Sequence, residues 1–318
     1  MPKSRGADAF VASLAAAGIR RIFTLSGNHV MPVFDAAIDA NLELIHVRHE
    51  AAAVHMADAW ARLTGETGVA LVTGGPGHAN AVGALYTAAM AESPVILFSG
   101  HAPHEELGKG AFQEMRQEDI AAPLCKASWT CASADILASD VVKAIALARG
   151  GRPGPVHVSL PTDVLDGHSR IGGNPATEAE RTPSPFDAAS FLDTLKRAKR
   201  PLILAGPASC TKRGRERMAR VEESTGVPVV CMESPRGVAD PSLGAFAEVL
   251  ARADCILLLG KRLDFTLKFG RTPAIAGGCE FLQVDPEDDE IARTRRAVGE
   301  RLPHSAVANV FDAARAFA

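Results

Sequence analysis

Aromatic side chains are scarce in this sequence. Phe, Trp and Tyr make up 5% of the 318 residues, Tyr86 is the single tyrosine, and the formal net charge is -3. A chain with few rings for base stacking and no excess of positive charge is not expected to bind nucleic acid. The longest apolar runs, such as residues 255–259, are too short to span a bilayer, and no apolar signal-peptide core follows Met1. We therefore expect a cytoplasmic protein without a membrane partner.

Cysteine pairs with metal-site or redox spacing are also lacking. No C-x-x-C occurs, and a chain of this size does not need disulfides to fold. Cys231 and Cys255 lie in apolar strand-like runs, which favours buried, reduced thiols. The histidines are equally dispersed, so no metal site is predicted. The six cysteines are Cys125, Cys131, Cys210, Cys231, Cys255 and Cys279.

Strand-like apolar runs alternate with helix-like segments along most of the chain, which predicts an α/β fold with two doubly wound parallel sheets. Residues 166–186 are rich in Pro and Gly and have little apolar periodicity, so we predict a linker there. The predicted domains are 1–165 and 187–318, and His304–Ala318 is expected to close the chain as an amphipathic helix. The predicted strands are 22–25, 42–47, 69–73, 95–99, 155–161, 201–205, 227–231, 255–259 and 280–285.

A glutamate occupies the junction of a predicted strand and a predicted helix. Residues 42–47 alternate in the extended pattern, Arg48-His49-Glu50 follows, and residues 51–63 read as a helix rich in Ala. Glu50 therefore lies at the carboxyl end of a strand, where open α/β sheets bind ligands. A carboxylate is costly to desolvate at such a position, which favours a functional role. The alternative is a surface glutamate whose charge suits the start of a helix.

A second strand runs into a glycine-rich turn at Thr73-Gly74-Gly75-Pro76-Gly77, with Asn80 three residues later. Glycine lets the backbone approach a flat ring closely, and proline fixes the turn. Together with Arg48-His49-Glu50, this motif resembles the pyrimidine-binding domain of thiamine diphosphate enzymes of the acetolactate synthase, 2-hydroxyacyl-CoA lyase and oxalyl-CoA decarboxylase group.

The resemblance implies site residues in the first domain. Glu50 matches the family glutamate that hydrogen-bonds the aminopyrimidine N1′, which makes it the implied catalytic residue. Residues 26–29 take the place of the family loop after the first strand, and His29 there faces either substrate or solvent. Residues 110–114 look like a family segment that approaches the cofactor. The implied cofactor-binding residues are Gly27, Asn28, Thr73, Pro76, Asn80 and Gln113.

The second domain offers a candidate nucleotide site. Residues 206–213 follow a strand and open a helix, whose amino terminus with nearby cations can hold a diphosphate. Residues 259–265 resemble a family segment beside the nucleotide moiety of FAD or CoA, although an exposed basic turn is an equal alternative. Whether the second domain binds FAD, CoA or ADP, or no ligand at all, stays open. The candidate residues are Gly206, Lys212, Lys261 and Arg262.

The family's third domain, which binds the diphosphate and Mg²⁺ through Gly-Asp-Gly and a later Asn-Asn, has no counterpart in this sequence. We therefore expect the amino-terminal portion of a carboligase, lyase or decarboxylase acting on small 2-keto acids or 2-hydroxyacyl- or oxalyl-CoA-type substrates. The diphosphate domain would come from a separate chain or from sequence lost by truncation. A homo-oligomer, dimer or tetramer, is expected, and activity of this chain alone stays open. The alternatives are a subunit of a split enzyme and a non-catalytic dimeric remnant that binds a nucleotide or CoA.

Overall fold

The computed structural model describes residues 5–40, 42–169 and 186–318. The chain divides into two compact units, Met1–Glu180 and Arg181–Ala318. Most of the predicted linker, residues 170–185, lies outside the described residues. Its first residue, Asp166, ends a short helix of the first unit.

The first unit is a parallel sheet with helices on both faces. Its strands pair in the order β2-β1-β3-β4-β6-β5, every pair parallel. The strands are β1 (Arg21–Thr24), β2 (Glu43–His46), β3 (Gly68–Val72), β4 (Val95–His101), β5 (Ser128–Thr130) and β6 (Val156–Pro161). The helices are α1 (Gly6–Ala16), α2 (Met31–Asp39), α3 (Glu50–Thr64), α4 (Pro76–Met90), α5 (Gln117–Ala121), α6 (Leu137–Arg149) and α7 (Thr162–Asp166).

The central strands β3, β4 and β6 are buried along their whole length. Their side chains alternate between two apolar clusters: Leu71 and Phe98 pack in one, and Ala70 and Leu97 pack in the other. Burial on both faces explains why these strands are almost continuously apolar. Because β1, β3 and β4 are parallel neighbours, the loops that follow them leave the sheet at the same edge.

The second unit is a separate parallel sheet in the order β11-β10-β9-β7-β8. The prediction of two parallel-sheet α/β domains is confirmed. The strands are β7 (Pro201–Ala205), β8 (Val229–Cys231), β9 (Cys255–Leu259), β10 (Glu280–Asp285) and β11 (His304–Val307). The helices are α8 (Ala189–Arg197), α9 (Lys212–Thr225), α10 (Phe246–Ala251), α11 (Asp288–Val298) and α12 (Val310–Phe317).

The predicted carboxyl-terminal helix is wrong in its first half. His304–Val307 forms an edge strand in parallel register with β10, with His304 opposite Leu282. The helix begins only after Asn309, whose side chain accepts hydrogen bonds from the backbone N–H groups of Phe311 and Asp312. An Asn cap of this kind defines a helix start. The amphipathic helix therefore begins after Asn309 and does not include His304–Val307.

A buried ion pair joins two connections of the first unit. Arg152 donates to the carboxylate of Glu92, and the two side chains are only 3% and 5% exposed. Glu92 itself has a positive φ of 54°. Removing one partner of such a pair leaves an uncompensated buried charge, which costs far more free energy than the loss of an exposed pair.

We expect Arg152→Met to lower the free energy of unfolding of the first unit by about 3 kcal/mol. Both tryptophans, Trp60 and Trp129, lie in this unit, so urea unfolding followed by tryptophan fluorescence reports on it alone. The matched control is Arg116→Met, because the ion pair of Arg116 with Asp119 is exposed and is expected to contribute at most about 1 kcal/mol. Equal losses in the two variants would contradict the assignment.

Candidate functional site

Glu50 and Asn80 meet where two helices of the first unit begin. Glu50 is the first residue of α3 and is 9% exposed, and Asn80 lies in the first turns of α4. The Asn80 Nδ2 donates a hydrogen bond of 3.0 Å to Glu50 Oε2. A carboxylate at a helix amino terminus is stabilised by the helix dipole, and the amide donor offsets part of its desolvation.

The glycine-rich turn packs directly against this carboxylate. Gly75 has φ 59° and ψ -117°, a conformation that other residues rarely adopt. A Cβ on Gly77 would lie 2.7 Å from Thr73 Cγ2 and 3.4 Å from Glu50 Oε1. A Cβ on Gly27 would lie 2.4 Å from Thr73 Cβ. The loops after β1 and β3 therefore touch where only glycine fits, and the structure brings Gly27, Thr73 and Asn80 together around Glu50.

Two further residues implied by the resemblance lie at the same edge and, like Asn80, are exposed. Pro76 is the first residue of α4, where a proline costs no hydrogen bond, and Asn28 begins a 3₁₀ turn, Asn28–Val30. Neither side chain makes a described hydrogen bond to Glu50, so they border the buried group rather than hold it.

Gln113 lies beside the glycine-rich turn in a left-handed backbone conformation, with φ 56°. A Cβ on Gly75 would lie 2.7 Å from Gln113 Cβ, so the two segments are in close contact. The loop is held by Glu114, whose carboxylate accepts the backbone N–H groups of Gly108, Gly110 and Ala111. These bonds, that from Gly108 foremost, hold the pKa of Glu114 below its usual range.

Gln117 is a buried anchor that the sequence analysis missed. Its Oε1 accepts the Gly75 N–H at 2.9 Å, and its Nε2 donates to the Gly100 carbonyl at 3.2 Å and to Ser159 Oγ at 2.8 Å. It is 2% exposed. Gln117 thus fixes the glycine-rich turn to the ends of β4 and β6. In sequence it lies in a polar stretch between Arg116 and Glu118, where nothing distinguishes it from a solvated glutamine.

His29 is buried, so its interpretation as a solvated loop histidine is wrong. It is 3% exposed, and its Nδ1 lies 3.1 Å from Thr73 Oγ1. Its ring centroid is 5.8 Å from that of Phe112, which is itself exposed. Desolvation lowers the pKa of His29, and the proximity of His101 lowers it further. A neutral imidazole therefore lies between Thr73 and the 110–114 loop.

Two more histidines are completely buried behind the glycine-rich turn. His78 Nδ1 lies 2.8 Å from Ser99 Oγ, and His157 Nδ1 lies 2.9 Å from Ser128 Oγ. Their ring centroids are 4.6 Å apart, and each Nε2 has no described partner. Burial lowers the pKa of His78 to about 4 and that of His157 well below its ordinary value. In sequence the histidines are dispersed, and the contact between His78 on α4 and His157 on β6 is not visible in sequence spacing.

The candidate nucleotide residues of the second unit lie at the carboxyl ends of β7 and β9. A Cβ on Gly206 would lie 2.3 Å from the Gly260 carbonyl oxygen, so these two ends are in contact. Lys261 is buried and ion-paired with Asp264 at 3.2 Å. The alternative of an exposed basic turn is therefore wrong for Lys261.

The other two cations of this set differ in their surroundings. Arg262 lies 3.2 Å from Glu290 and 3.6 Å from Glu287. Lys212 is exposed at the start of α9.

Neither a metal cluster nor a membrane-spanning helix is found among the residues that the structure describes. No group of three or more His, Cys, Asp or Glu side chains there could hold a metal ion. No described helix is long and apolar enough to cross a bilayer.

Two family profiles match the chain. Residues 4–120 match the N-terminal TPP binding domain of thiamine pyrophosphate enzymes, and residues 188–303 match their central domain. The chain belongs to this family. A probable acetolactate synthase large subunit of Methanocaldococcus jannaschii is 34% identical over 313 residues, covering 92% of this chain and 53% of that protein. The 2-hydroxyacyl-CoA lyase 2 of Danio rerio is 30% identical over 309 residues, covering 84% of this chain and 50% of that protein.

A solved structure shows the same fold. The thiamine diphosphate-dependent 4-hydroxybenzoylformate decarboxylase of Rhodococcus jostii RHA1 superposes with a TM-score of 0.79 at 22% identity, over 99% of this chain and 62% of that one. The chain spans about half the length of the curated relatives it matches. The family assignment made from the sequence is confirmed, and the chain corresponds to the N-terminal and central domains of a thiamine diphosphate-dependent enzyme.

The hydrogen bond between Glu50 and Asn80 can be tested by exchanging the two groups. Asn80→Asp places a second carboxylate beside Glu50 and removes the donor, so we expect a loss of about 1–3 kcal/mol in the free energy of unfolding. The double variant Glu50→Gln/Asn80→Asp restores one amide and one carboxylate and should recover most of this loss. Tryptophan-monitored urea unfolding of the wild type, Glu50→Gln, Asn80→Asp and the double variant gives the coupling energy. Strictly additive losses would show that the two side chains do not interact.

The buried histidines predict acid lability of the first unit. An unfolded histidine titrates near 6.5, whereas folded His78 titrates near 4, so between these values the unfolded chain binds a proton that folded His78 does not. The stability is therefore complete above pH 6.5 and declines as the pH falls towards 4, by up to about 1.4 kcal/mol per pH unit for this group. His78→Asn should flatten the pH dependence of the unfolding free energy, and exposed His55→Asn should leave it unchanged. A His78→Asn profile parallel to the wild type would contradict the argument.

Proposed function

We propose that this chain supplies the aminopyrimidine-binding half of the active site of a thiamine diphosphate-dependent carboligase, lyase or decarboxylase of the acetolactate synthase type. The observation that carries the proposal is Glu50, a buried carboxylate at the start of α3 that is hydrogen-bonded to Asn80 and lies against a turn lined by glycine. Such a carboxylate can share a proton with a basic ring nitrogen while remaining shielded from water.

The residues at this edge fit the aminopyrimidine ring. Gly27, Gly75 and Gly77 are in such close contact with their neighbours that a Cβ at any of them would lie within 2.7 Å of another atom, so only glycine lets these loops pack closely beside Glu50. When bound, thiamine diphosphate supplies the carbon nucleophile and the electron sink for cleaving or forming a bond next to a carbonyl group.

The roles of this chain's own residues follow from their contacts. Glu50 would hold a proton at the ring nitrogen N1′, and Asn80 would orient the carboxylate through its amide. Thr73, Gly27, Pro76 and Asn28 would border the ring, with Thr73 fixed by His29. Gln117 would keep the glycine-rich turn in place, since it holds the Gly75 N–H and the end of β4 at once.

The 110–114 loop would close the site from the opposite side. Gln113 contacts Gly75, and Phe112 is exposed next to His29. The loop therefore presents one polar and one apolar side chain beside the glycine-rich turn. These two residues and the neutral His29 would approach a small 2-keto or 2-hydroxyacyl substrate. They would also exclude water from its reacting carbonyl.

The diphosphate and Mg²⁺ would be held by a further domain, since the family's Gly-Asp-Gly and Asn-Asn pattern for these groups does not occur in this sequence. A homo-oligomer, or a complex with a second chain carrying that domain, would complete the site in the cytoplasm. The proposal rests on relatives that are about twice as long as this chain.

A second candidate function is a non-catalytic protein that binds FAD, CoA or ADP in the second unit. Gly206 and Gly260 bring the ends of β7 and β9 into contact, and Lys212 adds an exposed cation where α9 begins. Against it, the charges of Lys261 and Arg262 are already engaged by Asp264 and Glu290. We favour the catalytic assignment because the packing around Glu50 does not require a carboxylate at this buried position.

Glu50→Gln tests the proposal without knowledge of the substrate. The tagged protein is isolated from its own cells with Mg²⁺ and thiamine diphosphate, and native mass spectrometry establishes which chains and cofactors are present. Exchange of the thiazolium C2 hydrogen with D₂O is then followed by NMR. We expect Glu50→Gln to slow exchange about 10²–10⁴-fold, because the proton partner is lost.

Exposed Glu106→Gln is the matched control, and binding of ADP to the second unit should be the same in all three proteins. Equal exchange rates in wild type and Glu50→Gln would refute the catalytic assignment. A protein that binds ADP but never accelerates exchange would establish the second candidate function.

A further inference from the structure

Two cysteines of the second unit lie side by side at the carboxyl edge of its sheet. Cys231 is the last residue of β8, and Cys210 ends the 3₁₀ turn Pro207–Cys210 that follows β7. β7 and β8 are parallel neighbours, and the Met232 N–H bonds the Ala205 carbonyl at 2.9 Å just beyond their paired residues. Sheet pairing therefore brings the two thiols together although they are far apart in sequence.

The two thiols are close enough that each changes the pKa of the other. The Cys231 Sγ lies 3.9 Å from the Ser209 carbonyl oxygen, and the Cys210 Sγ lies 3.9 Å from the Gly206 carbonyl oxygen, so both sulfurs pack on the same short turn. Both residues are half-buried, which corrects the expectation of a buried Cys231. Cys131, Cys255 and Cys279, by contrast, are buried.

The surroundings favour a thiolate at one of the two sulfurs. The neighbouring Cys210 thiol, aided by the Arg215 guanidinium, lowers the pKa of Cys231 against the opposing effects of desolvation, Glu233 and Glu222. The same pairing raises the pKa of Cys210. Burial raises the pKa values of the other four cysteines to about 12. Since the thiolate is the reactive form, Cys231 is the expected nucleophile and Cys210 the thiol that resolves it.

We propose that Cys210 and Cys231 form a reversible intramolecular disulfide when the protein meets a peroxide. The Cys231 thiolate attacks a peroxide oxygen, the O–O bond breaks, and the released hydroxide takes up a proton to give water and a sulfenic acid. The Cys210 sulfur then attacks the Cys231 sulfur, the S–O bond breaks, and the Cys210 proton leaves with the hydroxide as a second water. Two thiols are oxidised by two electrons while one peroxide is reduced to two waters, and a dithiol reductant reverses the bond by thiol–disulfide exchange.

The proposed bond would act on a specific part of the fold. It would tie the turn 207–210 to the end of β8, directly after Gly206 and before the Thr211 cap of α9. This inference depends on the positions of the two cysteines and not on the proposed role of Glu50, so either can fail alone.

Peptide mapping of the full chain tests the proposal. After treatment with one equivalent of hydrogen peroxide, we expect the intact mass to fall by two hydrogen atoms. Trypsin should then release residues 200–212 and 221–236 as one linked species that dithiothreitol separates. In Cys210→Ser, dimedone should trap a sulfenic acid at Cys231, and in Cys231→Ser we expect at least about tenfold less trapping at Cys210.

Cys125→Ser is the matched control and should form the linked peptide at the wild-type rate. Circular dichroism of every variant confirms that it is folded before oxidation. Unmodified thiols in a protein whose methionines are already oxidised would overturn the proposal. So would a disulfide that joins two chains, or equal trapping at the two cysteines.

Discussion

Parallel pairing of β1, β3 and β4 is the constraint on which the first site depends. It sends three loops out at one edge of the sheet, and the close contacts of Gly27, Thr73 and Gly77 follow from that convergence. The helices that follow β2 and β3 then begin next to each other, so Glu50 and Asn80 meet at two helix amino termini. Backbone dipoles directed at one point make this edge suited to a carboxylate before any ligand is considered.

Desolvated polar groups surround that point, and most of them are paired. Buried Gln117 uses both ends of its amide and buried Glu50 keeps the Asn80 amide, while the more exposed Glu114 collects three backbone donors. Buried groups held in this way resist displacement because each lost bond leaves an unsatisfied partner. The buried His78, His101 and His157 are exceptions, since each has one ring nitrogen with no described hydrogen-bond partner. The histidines that support the glycine-rich turn from behind therefore lower the stability of the first unit at low pH.

Most of the fold was predictable because buried parallel strands are apolar over their whole length and end at Gly or Pro. The short edge strands β5 and β11 were missed, whereas the equally short edge strands β2 and β8 were predicted within the longer runs 42–47 and 227–231. Within the site, Glu50, Thr73 and Asn80 were predictable from a motif whose spacing matches strand-to-helix junctions. Gln117 and the histidine pair were not, because their importance comes from burial across neighbouring strands. Sequence spacing records contacts along one element, whereas these contacts join elements that are far apart in the chain.

The second unit presents a different balance of charge at its own carboxyl edge. Lys261 and Arg262 are neutralised by carboxylates of the same unit, so their cations hold β9 and α11 in place and attract a phosphate only weakly. Any anion at this edge would depend on the backbone near Gly206 and on the amino terminus of α9. The turn 207–210 connects these two features, and it is the turn on which the Cys210 and Cys231 sulfurs pack. In a reducing compartment the thiols stay reduced, and a transient disulfide would restrict the turn that connects β7 to α9.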